Sequence, residues 1–111
     1  MKTRQIKFVV EAIKWFDKVN GNTYHSCQIT RIDDGAVLCC QFQYGYGEQY
    51  RYTALEKMAE SGWLPDKYSE TDLNKRGIKN CLDYERENNY PIKWIVSDGL
   101  KREAVALGKE N

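Results

Sequence analysis

His25 and Cys27 stand two residues apart, and no other histidine occurs in the chain. On a strand, residues two apart lie on one face, so the imidazole and the thiol would sit side by side. A turn at Asn20-Gly21-Asn22 folds the preceding strand back and places His25 near Asp17. A cysteine, a histidine and an aspartate in one place form a set for nucleophilic catalysis, in which a base activates a thiol and a carboxylate orients the base. Adjacency does not make a hydrogen bond, however, and no oxyanion donors are recognisable. The ordinary alternative is a structural, partly buried histidine. Asp83, Glu85 and Glu87 surround Arg86 and read as an exposed acidic edge, with metal binding as the lesser reading.

The other cysteines are Cys39, Cys40 and Cys81. Adjacent Cys39 and Cys40 would point to opposite faces of a strand. No Cys-x-x-Cys pair exists, which argues against a zinc knuckle. Free, buried thiols in a reducing compartment are the expectation.

The segment Gln41-Phe42-Gln43-Tyr44-Gly45-Tyr46-Gly47-Glu48-Gln49-Tyr50-Arg51-Tyr52 interleaves tyrosines with glycines. Rigid rings with phenol groups are effective contacts in protein interfaces. They also stack on unpaired bases, where Arg51 would add a phosphate contact or a stacking plane of its own. The candidate binding residues are therefore Tyr44, Tyr46, Tyr50, Arg51 and Tyr52. The plain alternative is a loop whose rings cover the edge of the core. An RNA-recognition motif needs aromatic and aliphatic residues after its second glycine, and here Glu48 and Gln49 follow Gly47. A phosphate loop would end in Gly-Lys-Ser/Thr, which is absent, and no cofactor is expected. Lys75, Arg76, Lys79, Lys101 and Arg102 would form a modest basic patch if the C-terminal segment neighbours their loop; otherwise they are surface charge.

The elements that position these residues follow from periodicity and turns. Asn20-Gly21 and Asp34-Gly35 supply the positive φ angles of tight hairpins and divide the first 43 residues into a three-stranded antiparallel meander. A two-residue turn at Asp34-Gly35 would set Cys27 opposite Phe42 and Ile29 opposite Cys40. Ile29, Leu38, Cys40 and Phe42 would then face the core, with Gln28, Gln41 and Gln43 on the opposite face. In the first strand, Ile6, Phe8 and Val10 differ in parity from Ile13 and Trp15. A bulge near Glu11-Ala12 or burial on both faces accounts for that.

Thr53-Ala54-Leu55-Glu56 fits a capping box for a helix over 53–62, which ends at Gly62 with Trp63 against Met58. Residues 66–77 read as a polar, mobile loop. Residues 78–86 fit either a helix or a strand, and the strand is favoured. Ile92, Trp94 and Val96 alternate as a strand. A last strand over 100–105 competes with a short helix over Leu100, Ala104 and Leu107 that ends at Gly108. The expected fold is one α+β domain, approximately β-β-β-α-β-β, with the helix packed on the sheet.

The chain has 111 residues, the usual size of one domain. With 41% hydrophobic and 30% charged residues, its composition is that of a globular protein. A net charge of +1 provides no global attraction to nucleic acid or anionic membrane. No apolar run approaches the ~20 residues that span a bilayer, nor is there a signal-peptide core. A cytoplasmic protein follows, with no role for a membrane.

The segment Phe42-Gln43-Tyr44-Gly45-Tyr46-Gly47, followed by Tyr50 and Thr53-Ala54-Leu55, resembles small uncharacterised proteins encoded by phages and prophages. The turn Asn20-Gly21-Asn22-Thr23-Tyr24 adds to the resemblance. The resemblance implies a mobile-element protein that acts in a bacterial host cell by binding host or phage machinery, a class that includes inhibitors of bacterial defence. It implies no catalytic residues. The reading favours a non-enzymatic protein that presents Tyr44–Tyr52 to a protein partner. A single-stranded DNA or RNA-binding module and a small Cys-His enzyme are its alternatives.

Overall fold

The computed structural model describes residues 5–68 and 81–109. Strands β1 (Phe8–Asp17), β2 (Asn22–Arg31) and β3 (Val37–Tyr44) are followed by helix α1 (Gln49–Glu60) and a 3-10 turn at Asp66–Tyr68. Helix α2 (Asp83–Glu87), strand β4 (Ile92–Asp98) and helix α3 (Lys101–Leu107) complete the elements of the described residues. The strands form one mixed sheet in the order β3-β2-β1-β4, antiparallel except that β4 runs parallel to β1. Helix α1 packs on one face of this sheet, so the fold is α+β. No helix among the described residues is long and apolar enough to cross a membrane.

Both glycine turns form. Gly21 has φ +69° and Gly35 has φ +73°, a region that side-chain-bearing residues avoid. The second turn is longer than Asp34-Gly35 alone. Arg31 donates its N–H to the Ala36 carbonyl at 2.8 Å, and Arg31 clasps Asp34 at 2.7 Å. Cys27 therefore pairs with Cys40, and Ile29 with Leu38. A shift of two residues preserves faces, so Ile29, Leu38 and Cys40 still point at α1.

The next pair breaks that alternation. His25 pairs with Gln43, so β3 holds Gln41 and Phe42 where β2 holds only Ser26. This bulge turns Phe42 away from Cys40's face. Phe42 stacks instead on Tyr24, with ring centroids 5.1 Å apart, on the side of the sheet that carries α3. The expectation that Phe42 joins Ile29, Leu38 and Cys40 against α1 is overturned for this reason. Gln43 occupies His25's face rather than the opposite one, and Gln41 lines a groove beside α1. Gln28, paired with Cys39, lies on the α3 side as expected. Strand β1 has no bulge, because its register with β2 is continuous from Phe8↔Arg31 to Asp17↔Asn22. It is covered on both sides: Phe8, Val10 and Ala12 are buried on the α1 side, while Trp15 and Ile13 point toward α3.

Helix α1 buries Tyr50, Ala54, Leu55, Met58 and Ala59, one helical stripe. It starts four residues before the expected Thr53. The Thr53 hydroxyl makes no cap; it bonds His25 across the core at 2.8 Å. The C-terminus is as expected. Gly62, at φ +75°, donates to Ala59 and Trp63 donates to Met58, which satisfies two terminal carbonyls. Phe8 then stacks on Trp63 at 6.0 Å.

Two C-terminal expectations change. Residues 83–87 form α2, not a strand, and 78–80 lie outside the described residues. Residues 101–107 form α3, not a strand. Glu103 reaches back to accept the Leu100 N–H at 2.8 Å and so starts that helix. Ala104 is buried against the sheet, where Ser26 donates to its carbonyl. At Gly108 a Cβ would lie 2.7 Å from the Cys40 carbonyl oxygen, a contact with backbone that only glycine permits.

Candidate functional site

The Tyr/Gly segment divides among three environments. Tyr44 and Tyr46 are exposed, at 58% and 71%. Tyr52 is exposed on α1, beside a groove between α1 and the outer edge of β3. That groove has a volume of 540 Å³ and is also lined by Gln41, Gln43, Gln49 and Glu56. Tyr50 is core: it is 6% exposed and meets Trp94 edge-on at 5.7 Å. Arg51 is engaged within the fold. Its guanidinium lies over Trp94 at 5.1 Å and pairs with Glu85 at 3.6 Å. Tyr50 and Arg51 therefore support the fold rather than a contact surface. Helix period explains the split, because Tyr50 shares a stripe with Ala54 and Met58 while Tyr52 lies on another side of α1.

The bulge creates a surface that the sequence did not reveal. It brings Phe42 beside Tyr24, Trp15 and Tyr44 on the α3 side. Trp15 meets Tyr24 at 5.8 Å and Phe42 at 6.1 Å, and Tyr44 stands edge-on to Tyr24 at 5.8 Å. The Lys101 ammonium caps Trp15 at 5.5 Å. Trp15, Tyr24 and Phe42 are partly exposed, and Tyr44 is largely so. Such clusters stabilise themselves through ring quadrupoles, so the rings hold one another in place. A one-residue bulge leaves no signature in hydrophobic alternation except an error of parity, so only the pairing could reveal this group.

No family model, curated protein or solved structure matches this chain. The site's own chemistry must carry its reading.

The Cys-His-Asp set does not assemble. Asp17 spends its carboxylate on the first turn, where it accepts the Val19 N–H at 3.0 Å and the Asn20 side chain at 2.8 Å. Opposite His25 in β1 is Lys14. The imidazole is fully buried. Its Nδ1 bonds the Gly45 carbonyl at 3.2 Å and its Nε2 meets the Thr53 hydroxyl at 2.8 Å. A carbonyl only accepts, so Nδ1 carries the proton and Nε2 accepts from Thr53. Cys27 gives its S–H to the Tyr50 carbonyl at 3.7 Å, not to His25. His25 is thus a tie between β2, the glycine segment and α1. At Gly45 a Cβ would lie 2.6 Å from the ring, so glycine at that position is required for the contact. The acidic edge is likewise structural in part: Glu85 is buried and accepts the Trp94 indole N–H at 2.6 Å. Of the expected basic set, Lys75, Arg76 and Lys79 lie outside the described residues, and Lys101 sits on Trp15.

A pH prediction follows from this tie. Burial lowers the His25 pKa from its ordinary 6.5, and the Gly45 bond opposes that in part. Below pH 6.5 the unfolded chain takes up a proton that the folded imidazole resists. Stability is therefore full above that pH and falls as the pH drops through the lowered folded value. Asp34, held at about 2 by Arg31, titrates well below this window. Urea melts from about pH 7.5 to 5 should show the decline, and His25→Asn should flatten it. An unchanged slope in a folded variant would remove His25 as its source.

Proposed function

We propose that this chain is a non-enzymatic binding protein that docks a protein partner through the aromatic surface around Tyr44. The observation that carries the reading is the four-ring cluster of Trp15, Tyr24, Phe42 and Tyr44, held in mutual contact and partly open to solvent. Tyr46 follows on an exposed turn, opened by Gly47 at φ +64°. Aromatic anchors fixed before contact are what interface cores are made of. Charge favours a protein over nucleic acid. The net charge of the chain is +1, and Lys101, which caps Trp15 at the cluster, also faces Asp17. A backbone-tracking groove for a polyanion would need a row of free cations. The resemblance of the Phe42–Leu55 segment to phage-encoded proteins extends the proposal to a host or phage partner. Inhibition of host defence, in the cytoplasm of a bacterial host cell, is its narrowest form.

The test is a Tyr44→Ala, Tyr46→Ala double variant, immobilised beside the unchanged protein and exposed to a bacterial lysate. Both positions are exposed, so folding should be retained. A partner captured specifically by the unchanged protein should be lost or reduced at least about tenfold with the variant, as expected when two anchor rings are removed. Equal capture by both would overturn the surface. Tight, salt-sensitive binding of a mixed-sequence single-stranded oligonucleotide by fluorescence anisotropy would replace the protein partner with nucleic acid.

A further inference from the structure

Cys27 and Cys40 face each other across β2 and β3. Arg31 donates to Ala36, so the hydrogen-bonded pairs of this hairpin are Arg31 with Ala36, Ile29 with Leu38, and Cys27 with Cys40. Pairs of that type hold their Cα atoms about 5.5 Å apart. A disulfide spans roughly 4.4–6.8 Å. Both thiols lie under the first turn of α1, where Cys27 donates to the Tyr50 carbonyl at 3.7 Å and Cys40 to that of Thr53 at 3.8 Å.

The two differ in access. Cys27 is fully enclosed. Cys40 is also buried, at 4% exposure, but lines the groove between α1 and β3 with Cys39, where Thr53 and Lys57 lie beside it, and β3 is the outer strand of the sheet. They also differ in acidity. The Cys27 S–H, directed at the Tyr50 carbonyl, is shared with the Cys40 sulfur, and with the Lys57 charge this lowers the Cys40 thiol from its ordinary value, although burial and Glu60 oppose it. The same bond, with burial, pushes Cys27 upward. Cys40, at the groove, is therefore the more acidic of the two thiols, and Cys27 lies behind it. The Cys81 thiol is pushed upward by its own burial.

We propose that Cys40 and Cys27 form a peroxide-reactive pair, with Cys40 as the attacking thiol at the groove and Cys27 as the resolving thiol. The Cys40 thiolate attacks one oxygen of a hydroperoxide and the O–O bond breaks. Cys40 becomes a sulfenic acid, and the departing oxygen takes up a proton and leaves as an alcohol, or as water from hydrogen peroxide. The Cys27 sulfur then attacks the Cys40 sulfur. The S–O bond breaks, the S–S bond forms, and the hydroxyl leaves with the Cys27 proton as water. The two thiols lose two protons and two electrons, and the peroxide is reduced by the same two electrons. This chemistry is separate from the aromatic surface and does not depend on it.

The experiment treats the reduced full chain with hydrogen peroxide, alkylates the remaining thiols and maps the peptides by mass without reduction. The expected product is a Cys27–Cys40 cross-link, lighter by two hydrogens, with Cys81 still alkylated. Fragmentation separates Cys40 from its neighbour Cys39. In Cys27→Ala the reaction should halt at a Cys40 sulfenic acid that dimedone captures. In Cys40→Ala, oxidation of Cys27 should slow at least about tenfold, because the enclosed, protonated thiol is a poor nucleophile. Earlier oxidation of Cys39 or Cys81, or full alkylation of Cys27 and Cys40 after peroxide, would overturn the proposal. The mapping of the unchanged protein decides this even if a variant fails to fold.

Discussion

Met58→Ala is expected to lower the unfolding free energy by about 2–5 kcal/mol, while Phe42→Ala should cost about 2 kcal/mol or less. Met58 is fully buried, on the stripe of α1 that packs with Ile29, Val10 and Leu55 in the core. Truncation removes its apolar surface from the core and leaves a void that the packed sheet beneath fills only in part. Phe42 is larger, and simple alternation along β3 would make it the greater loss. The bulge at Gln41-Phe42 instead places its ring at the partly exposed cluster, where solvent already reaches it. Denaturant melts of both variants with unchanged m-values would give the comparison directly. For a domain whose total stability is of order 5–15 kcal/mol, the first change should shift the midpoint strongly. Equal losses for the two would contradict the bulge.

Glu85→Ala is expected to cost about 2–3 kcal/mol, most of it from the lost bond to Trp94. The carboxylate is buried and accepts the indole N–H at 2.6 Å. Its other oxygen lies 3.6 Å from the Arg51 guanidinium, whose side chain is 39% exposed. An ion pair so open to solvent is screened and contributes under about 1 kcal/mol. Alanine leaves the indole N–H without its acceptor and removes the carboxylate that ties α2 to β4. Glu85→Gln keeps an oxygen for Trp94 and loses only the charge, so it should cost about 1 kcal/mol. Thermal melts, with Trp94 fluorescence as a local probe, distinguish the two. If glutamine is as damaging as alanine, the energy lies in the charge pair and this division is wrong.

The legible parts of this fold are those written in local rules. The two glycine turns, the meander between them, the end of α1 at Gly62 and the strand through Trp94 all depend on residues near each other in the chain. Alternation also placed Ile29, Leu38 and Cys40 on the helix side and Gln28 on the other. The errors have particular causes. Thr53 resembles a cap because its hydroxyl is suited to one, yet His25 takes that hydroxyl from another strand. Asp83–Glu87 looks solvated in sequence, but Trp94 and Arg51 draw Glu85 inward. Of the Tyr/Gly segment, its density of rings was readable, but that Gln49–Tyr52 enter α1, and which rings face outward, was not.

The sequence by itself determined an α+β domain, its turns and most of its elements, because φ preferences and side-chain periods act over a few residues. It also marked the tyrosine-rich segment as the surface to examine. Only the tertiary structure decided that Tyr50 and Arg51 belong to the core and its supports, that Phe42 joins Trp15, Tyr24 and Tyr44, and that Cys27 faces Cys40 rather than serving His25. The first depends on which stripe of α1 packs on the sheet, and the other two on strand register: the second turn pairs Cys27 with Cys40, and an inserted residue in β3 moves Phe42 to the other face of the sheet.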